Sequence, residues 1–177
     1  MLRLVVLATI VFITLATPCL SEPFKSTGTI DVYFSPNGGV TEAIVNTINN
    51  AKSEILFQAY SFTSKPIAKA LVEARKRGIK IEAILDKSQK SDKYSSADFI
   101  AHAGIPTYID TAHAIAHNKI IIIDKAILIT GSFNFTKAAE EKNAENLLIL
   151  KGNKPVVDRY IWNFDEHKGH TEVYVGK

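Results

Sequence analysis

Two patterns predict an α/β fold with a mixed β-sheet flanked by helices on both faces. From Ile30 to Leu85 the apolar residues switch repeatedly between a two-residue and a 3.6-residue period. Further on, two apolar runs, Lys119 to Ile123 and Ala126 to Thr130, meet at Asp124-Lys125. The first pattern calls for strands joined by helical crossovers in a largely buried sheet, the second for an antiparallel hairpin. The 177 residues amount to one ordinary domain with room for a sizeable core. A hydrophobic fraction of 46% beside 22% charged residues excludes a disordered tail and a polytopic membrane protein.

Residues 1–21 are expected to form a cleaved signal peptide. Leu4 to Ala16 is an uncharged run of thirteen residues behind Arg3, shorter than the ~20 residues of a membrane span. Retention as a membrane anchor is the alternative. Cleavage after Ser21 removes Cys19, the one cysteine, and a thiol-free chain suits an exported, oxidising location, periplasmic or secreted. Residues 22–177 then form a single domain. Ile30 to Phe34 alternates as a strand and SPNGG, Ser35 to Gly39, breaks it. Thr41 to Lys52 sets Ala43, Ile44, Ile48 and Ala51 at helical spacing, with Thr41 as its N-cap. Glu54 to Tyr60 is a second strand, Lys65 to Arg77 a helix stopped by Gly78, and Ile79 to Leu85 a third strand. Lys87 to Ser96 is polar and reads as a mobile loop. A short helix from Asp98 to Ala103 ends at Gly104, and Thr107 to Ile109 is a strand. After the hairpin come a strand at Asn146 to Leu150, a helix at Pro155 to Phe164 and a last strand at Thr171 to Val175.

The chemistry concentrates between His117 and Asn134. Side chains alternate faces along a strand, so His117 and Lys119 point the same way. With Asp124-Lys125 as a two-residue loop, Lys119 stands opposite Thr130 and His117 opposite Ser132. A one-residue slip puts Ser132 on the other face. Gly131 allows close backbone approach, and Asn134 adds an amide. This group has neither paired carboxylates nor a His-x-x-x-His spacing. A cation, an amide and a hydroxyl around an imidazole suit a tetrahedral phosphate, whose phosphorus the imidazole can attack while the lysine holds the oxygen charge.

The pattern H-x-K-x4-D-x6-G-S-x-N resembles the HKD motif of the phospholipase D superfamily, and Ile55 to Leu71 resembles the strand-helix unit that precedes that motif. Within the superfamily the chain is similar to the small single-motif bacterial Nuc-type endonucleases. The resemblance implies the phospholipase D/nuclease-like fold and metal-independent phosphodiester hydrolysis through a covalent phosphohistidine, with no cofactor. It makes His117 the nucleophile, with Lys119 and Asn134 on the phosphate and Ser132 beside them. Asp124 is the motif aspartate and is counted with the catalytic set, although its place at the turn points to a structural role. Glu145 is the match for the acidic residue that orients the histidine.

One motif supplies half a site. Of the other histidines, His102, His113, His167 and His170, none is followed two residues later by lysine. The expectation is a homodimer in which one His117 attacks while its mate serves as acid, giving a bell-shaped pH profile. Between Lys65 and Lys93 nine basic residues face four acidic ones, a stripe suited to a nucleic-acid backbone. The favoured substrate is therefore DNA, cut without sequence preference, with RNA as a further substrate. The alternative is a phospholipid, although outside the leader no stretch reads as the apolar entrance a lipid would need, Phe133 and Phe135 being candidates for the core. A non-catalytic nucleic-acid-binding module is the reading from a different class.

Overall fold

Alternating apolar residues sort the strands onto two unequal faces. The computed structural model describes residues 23–177; the signal peptide expected over 1–21 lies outside them. The strands are β1 (Thr29–Ser35), β2 (Glu54–Ala59), β3 (Lys80–Asp86), β4 (Thr107–Asp110), β5 (Lys119–Ile123), β6 (Ile127–Gly131), β7 (Glu145–Lys151) and β8 (Thr171–Tyr174). They form one sheet in the order β1-β7-β6-β5-β2-β3-β4-β8. β2, β3 and β4 run parallel and every other pairing is antiparallel, so the sheet is mixed as expected. The helices are α1 (Val40–Asn49), α2 (Lys65–Lys76), α3 (Ala97–His102), α4 (Lys137–Glu141) and α5 (Lys154–Lys168).

Odd-numbered strand residues, among them Ile55, Phe57, Ile81, Leu85, Ile121, Ile129 and Leu147, pack against α1 to α4 in the main core. Even-numbered ones, Leu56, Ile120, Ile122, Leu128 and Leu150, meet Val156, Val157, Tyr160 and Ile161 of α5. Phe57 sits against Phe62 and Phe135, with ring centroids 4.7 and 5.0 Å apart. Phe133 and Phe135 are fully buried, so they belong to the core and form no apolar entrance for a lipid.

Local expectations are corrected at four places. Helix α1 is capped from afar: the amides of Gly39 and Thr41 donate to the Glu140 carboxylate, and Thr41 is not the N-cap. Lys87 to Ser96 opens with a 3₁₀ turn and is anchored by buried Gln89, whose Oε1 accepts from Phe62 N at 3.2 Å and Ser95 Oγ at 2.9 Å. The short α4 had no counterpart in the periodicity; Thr136 caps it by accepting from Ala139 N. The basic stretch is split. Lys80 opens β3 opposite Glu54, with Arg75, Lys76 and Arg77 just before it, whereas Lys87, Lys90 and Lys93 follow the other end of that strand.

Candidate active site

The parallel strands β2, β3 and β4 end on the side where β5 begins, since Ala59 pairs with Lys119. The segment 111–118 crosses that end of the sheet and delivers His117. It is held at several points. Ala112 N and His113 N donate to Asp110 Oδ1, Lys87 Nζ donates to His113 O, and Ala116 N donates to buried Asp86 at 2.8 Å. Its last bond runs from Tyr60 N to Asn118 O. Pinned in this way, His117 keeps an exposed side chain on a fixed backbone.

Lys119 is buried, and its Nζ donates to His117 O at 2.7 Å. Burial pulls this ammonium down to about 8, with the negative charge of Glu145 working in the opposite direction. Tyr60 lies against both groups: its ring is 4.4 Å from the His117 ring and 5.2 Å from Lys119 Nζ. Tyr60 had no signal in the sequence, because only the pairing of β2 with β5 brings it here.

The hairpin closes through three residues, Asp124, Lys125 and Ala126, with Ile123 paired to Ile127 and Ile120 to Thr130. Asp124 and Lys125 both take positive φ, 54° and 52°. The register is therefore one residue away from the expected one, and Ser132 does not stand opposite His117. Gly131 lies so close to β7 that a Cβ there would meet Asn146 O at 2.3 Å, which excludes any side chain. Ser132 Oγ instead donates to Glu145 Oε2 at 2.6 Å and accepts from Asn146 N at 3.0 Å. Glu145 Oε1 accepts from Asn143 Nδ2 at 3.1 Å. Among the described residues no hydrogen bond joins Glu145 to His117. Within one chain the carboxylate meets the group through Ser132 and through its field at Lys119. Asn134 follows on the same segment, and its Oδ1 is buried without a partner.

Asp124 is the residue the structure sets apart. It lies at the far end of β5, seven residues from His117, or roughly 23 Å of extended chain. Its carboxylate accepts from the amides of Lys52, Ser53 and Glu54 and from Ser53 Oγ. Burial works to raise its pKa, but these bonds outweigh it and hold the carboxyl below its ordinary value. Asp124 ties the hairpin to the start of β2, and its inclusion with the catalytic set is corrected accordingly.

Beside His117 and Lys119 a cavity of about 440 Å³ opens between the ends of β5 and β6 and helix α5, lined also by Thr130, Arg159, Trp162 and Asn163. The Arg159 guanidinium lies 4.4 Å from the Trp162 ring centre. The arrangement combines an exposed imidazole, a buried ammonium and the Arg159 guanidinium around one cavity, which is the chemistry of an anion site with a nucleophile at its mouth.

Comparison with known proteins agrees with this chemistry. Residues 44–168 match the family model described as cardiolipin synthase, PLD-like domain. A phospholipase D of Rickettsia typhi is 38% identical over 154 residues, covering 87% of this chain and 75% of the relative. The mitochondrial cardiolipin hydrolase of Mus musculus is 31% identical over 106 residues, 60% of this chain and 48% of that protein. Among solved structures, the phospholipase D family member Nuc from Salmonella typhimurium superposes with a TM-score of 0.80 at 35% identity, covering 82% of this chain and 97% of that one.

Proposed function

From the premise that this chain belongs to the phospholipase D superfamily and is a phosphodiesterase, we propose that it is a sequence-nonspecific endonuclease working as a homodimer through a phosphohistidine. The observation that carries the reading is the grouping of exposed His117 with buried Lys119 at the mouth of a cavity walled by Arg159 and Trp162. An arginine stacked on an exposed tryptophan offers a nucleic-acid strand both a cation and a base-stacking surface. Phe133 and Phe135 lie in the core and offer a lipid no apolar entrance.

In the first step a ring nitrogen of His117 attacks phosphorus. The P–N bond forms as the P–O bond to the leaving group breaks, and the leaving alkoxide takes a proton from the second chain's imidazole. In the second step that imidazole takes a proton from water, the hydroxide attacks phosphorus, and the P–N bond breaks. Lys119 and Asn134 balance the equatorial oxygen charge throughout, so the chemical step calls for no metal.

The test is incubation of the purified protein with plasmid DNA, and separately with phosphatidylcholine vesicles, in EDTA, with folding followed by circular dichroism. Nicking and linearisation of the plasmid by the folded protein support the reading. Head-group release without DNA cleavage overturns the substrate in favour of a phospholipid, the substrate class carried in the name of the Rickettsia typhi relative. Activity that the folded protein loses in EDTA and regains with Mg²⁺ overturns the metal-free step.

A pH limit follows from Lys119. The side chain stabilises phosphate charge only as a cation, and its pKa is held near 8. Turnover is therefore expected to fall as pH rises through about 8. The measurement is kcat against pH for the wild type and for Lys119→Arg. The arginine variant stays charged throughout this range, so whatever activity it retains will lack that alkaline limb.

A further inference from the structure

Four residues outside this machinery meet at the opposite end of the 111–118 segment: Asp110 at the end of β4, His113 in the crossing segment, His167 in the last turn of α5, and His170 just before β8. We propose that Asp110, His113, His167 and His170 form a transition-metal site, best suited to Zn²⁺, that staples α5 and β8 to the segment carrying His117.

One ligand atom from each of the four residues lies within 4.8 Å of all the others. His167 Nδ1, His113 Nδ1 and His170 Nε2 converge on the same atom, Asp110 Oδ2, at 2.9, 3.0 and 3.5 Å. Ligands bound at 2.0–2.1 Å in a tetrahedron stand roughly 3.3–3.4 Å apart, which the three separations from Asp110 Oδ2 bracket, while the full set, spread within 4.8 Å, closes by an ångström or so on a bound ion. Hydrogen bonds to Asp110 account for His167 and His113, but not for the approach of His170. Asp110 is fully buried, and its Oδ1 already accepts from Ala112 N and His113 N. A third ring aimed at Oδ2 from 3.5 Å gains little as a donor. The three rings nonetheless pack pairwise, with centroids 4.8, 5.0 and 5.4 Å apart. A central cation gives each nitrogen a use and neutralises the buried carboxylate.

Three imidazoles and one carboxylate suit Zn²⁺ and its transition-metal neighbours, whereas Ca²⁺ and Mg²⁺ favour all-oxygen shells. The side chains of His113 and His170 are 46% and 36% exposed, which leaves a path for metal entry. The ligands come as two pairs, each spaced by three residues, from distant parts of the chain. Only the antiparallel pairing of β8 with β4, in which Asp110 faces Thr171, unites them. His113 stands four residues before His117, so the site acts on the position of the nucleophile's backbone and not on the chemical step.

The test uses metal-free full-length protein titrated with Zn²⁺, reading bound zinc by mass spectrometry and the melting temperature by calorimetry. One zinc per chain is expected, with Tm raised by roughly 5–10 °C at a hundredfold excess over Kd. His113→Ala and His170→Ala remove partly exposed side chains, so both should fold and both should lose the stoichiometric zinc and the Tm rise. His102→Ala, an exposed histidine outside the cluster, should keep both. An unchanged Tm with zinc, or a zinc-dependent rise that survives in His113→Ala and His170→Ala, overturns the site. Both readouts are independent of whether His117 attacks DNA, a lipid or neither.

Discussion

His117→Ala is expected to lower turnover by at least ~10³-fold while leaving the melting temperature close to that of the wild type. The ring is exposed and lies tilted against Tyr60, and the bonds that fix its backbone, from Lys119 Nζ to His117 O and from Tyr60 N to Asn118 O, do not involve the imidazole. Removing the ring therefore costs chemistry rather than fold. A mixing experiment sharpens the result. If each composite site needs two imidazoles, equal amounts of wild type and His117→Ala, once their subunits have exchanged, leave only about a quarter of the dimers intact. Activity should then drop to about half of its value before exchange. Activity that stays constant on exchange would mean that each chain works alone, and a near-normal rate for the pure variant would remove His117 from the mechanism.

The parts of this site that were legible in the sequence were those whose partners lie close by along the chain. The two-residue period puts His117 and Lys119 on one face wherever β5 sits, and the three residues Gly131, Ser132 and Asn134 follow from one strand end. The hairpin register departs from the two-residue loop because its turn is set by tertiary contacts. The amides of residues 52 to 54 hold the Asp124 carboxylate, and the backbone takes two positive φ values to reach them. Thr41 suits a cap on local grounds, yet Glu140, about a hundred residues away, takes the role. Tyr60 and the three clustered histidines share this cause. Their neighbours are decided by which strands pair, and that is written in no window of the sequence. The basic stretch misled in another way: it is continuous in sequence, but β3 carries its two halves to opposite ends of the sheet.

The second large effect concerns assembly. Helix α5 packs mainly on β2, β4, β5 and β6, reaches β7 at Leu150, and leaves the far edge of this face uncovered. The even-numbered residues of β1 are consequently left open, with Ile30, Val32 and Phe34 at 47%, 52% and 66% exposure. Leu148 and Leu150 on β7 continue this apolar face, half-buried, and Phe34 ends it beside Asn146, at the end of the sheet where Ser132 meets Glu145. An uncovered apolar sheet face beside the site is where the proposed twofold partner would seat, since the same patch would serve both chains. Val32→Asp places a charge at the centre of that face, where a dimer would bury it unpaired. The variant is expected to sediment as a folded monomer and to lose at least ~10²-fold in turnover, the contribution of a positioned general acid. Val173→Asp, an equally drastic change at a 74% exposed position on β8, should leave both the dimer and the activity as they were. A Val32→Asp protein that remains dimeric would place the interface elsewhere. A monomer with undiminished turnover would show that one His117 suffices, and the search for the acid would then move to groups lining the same cavity, Tyr160 foremost.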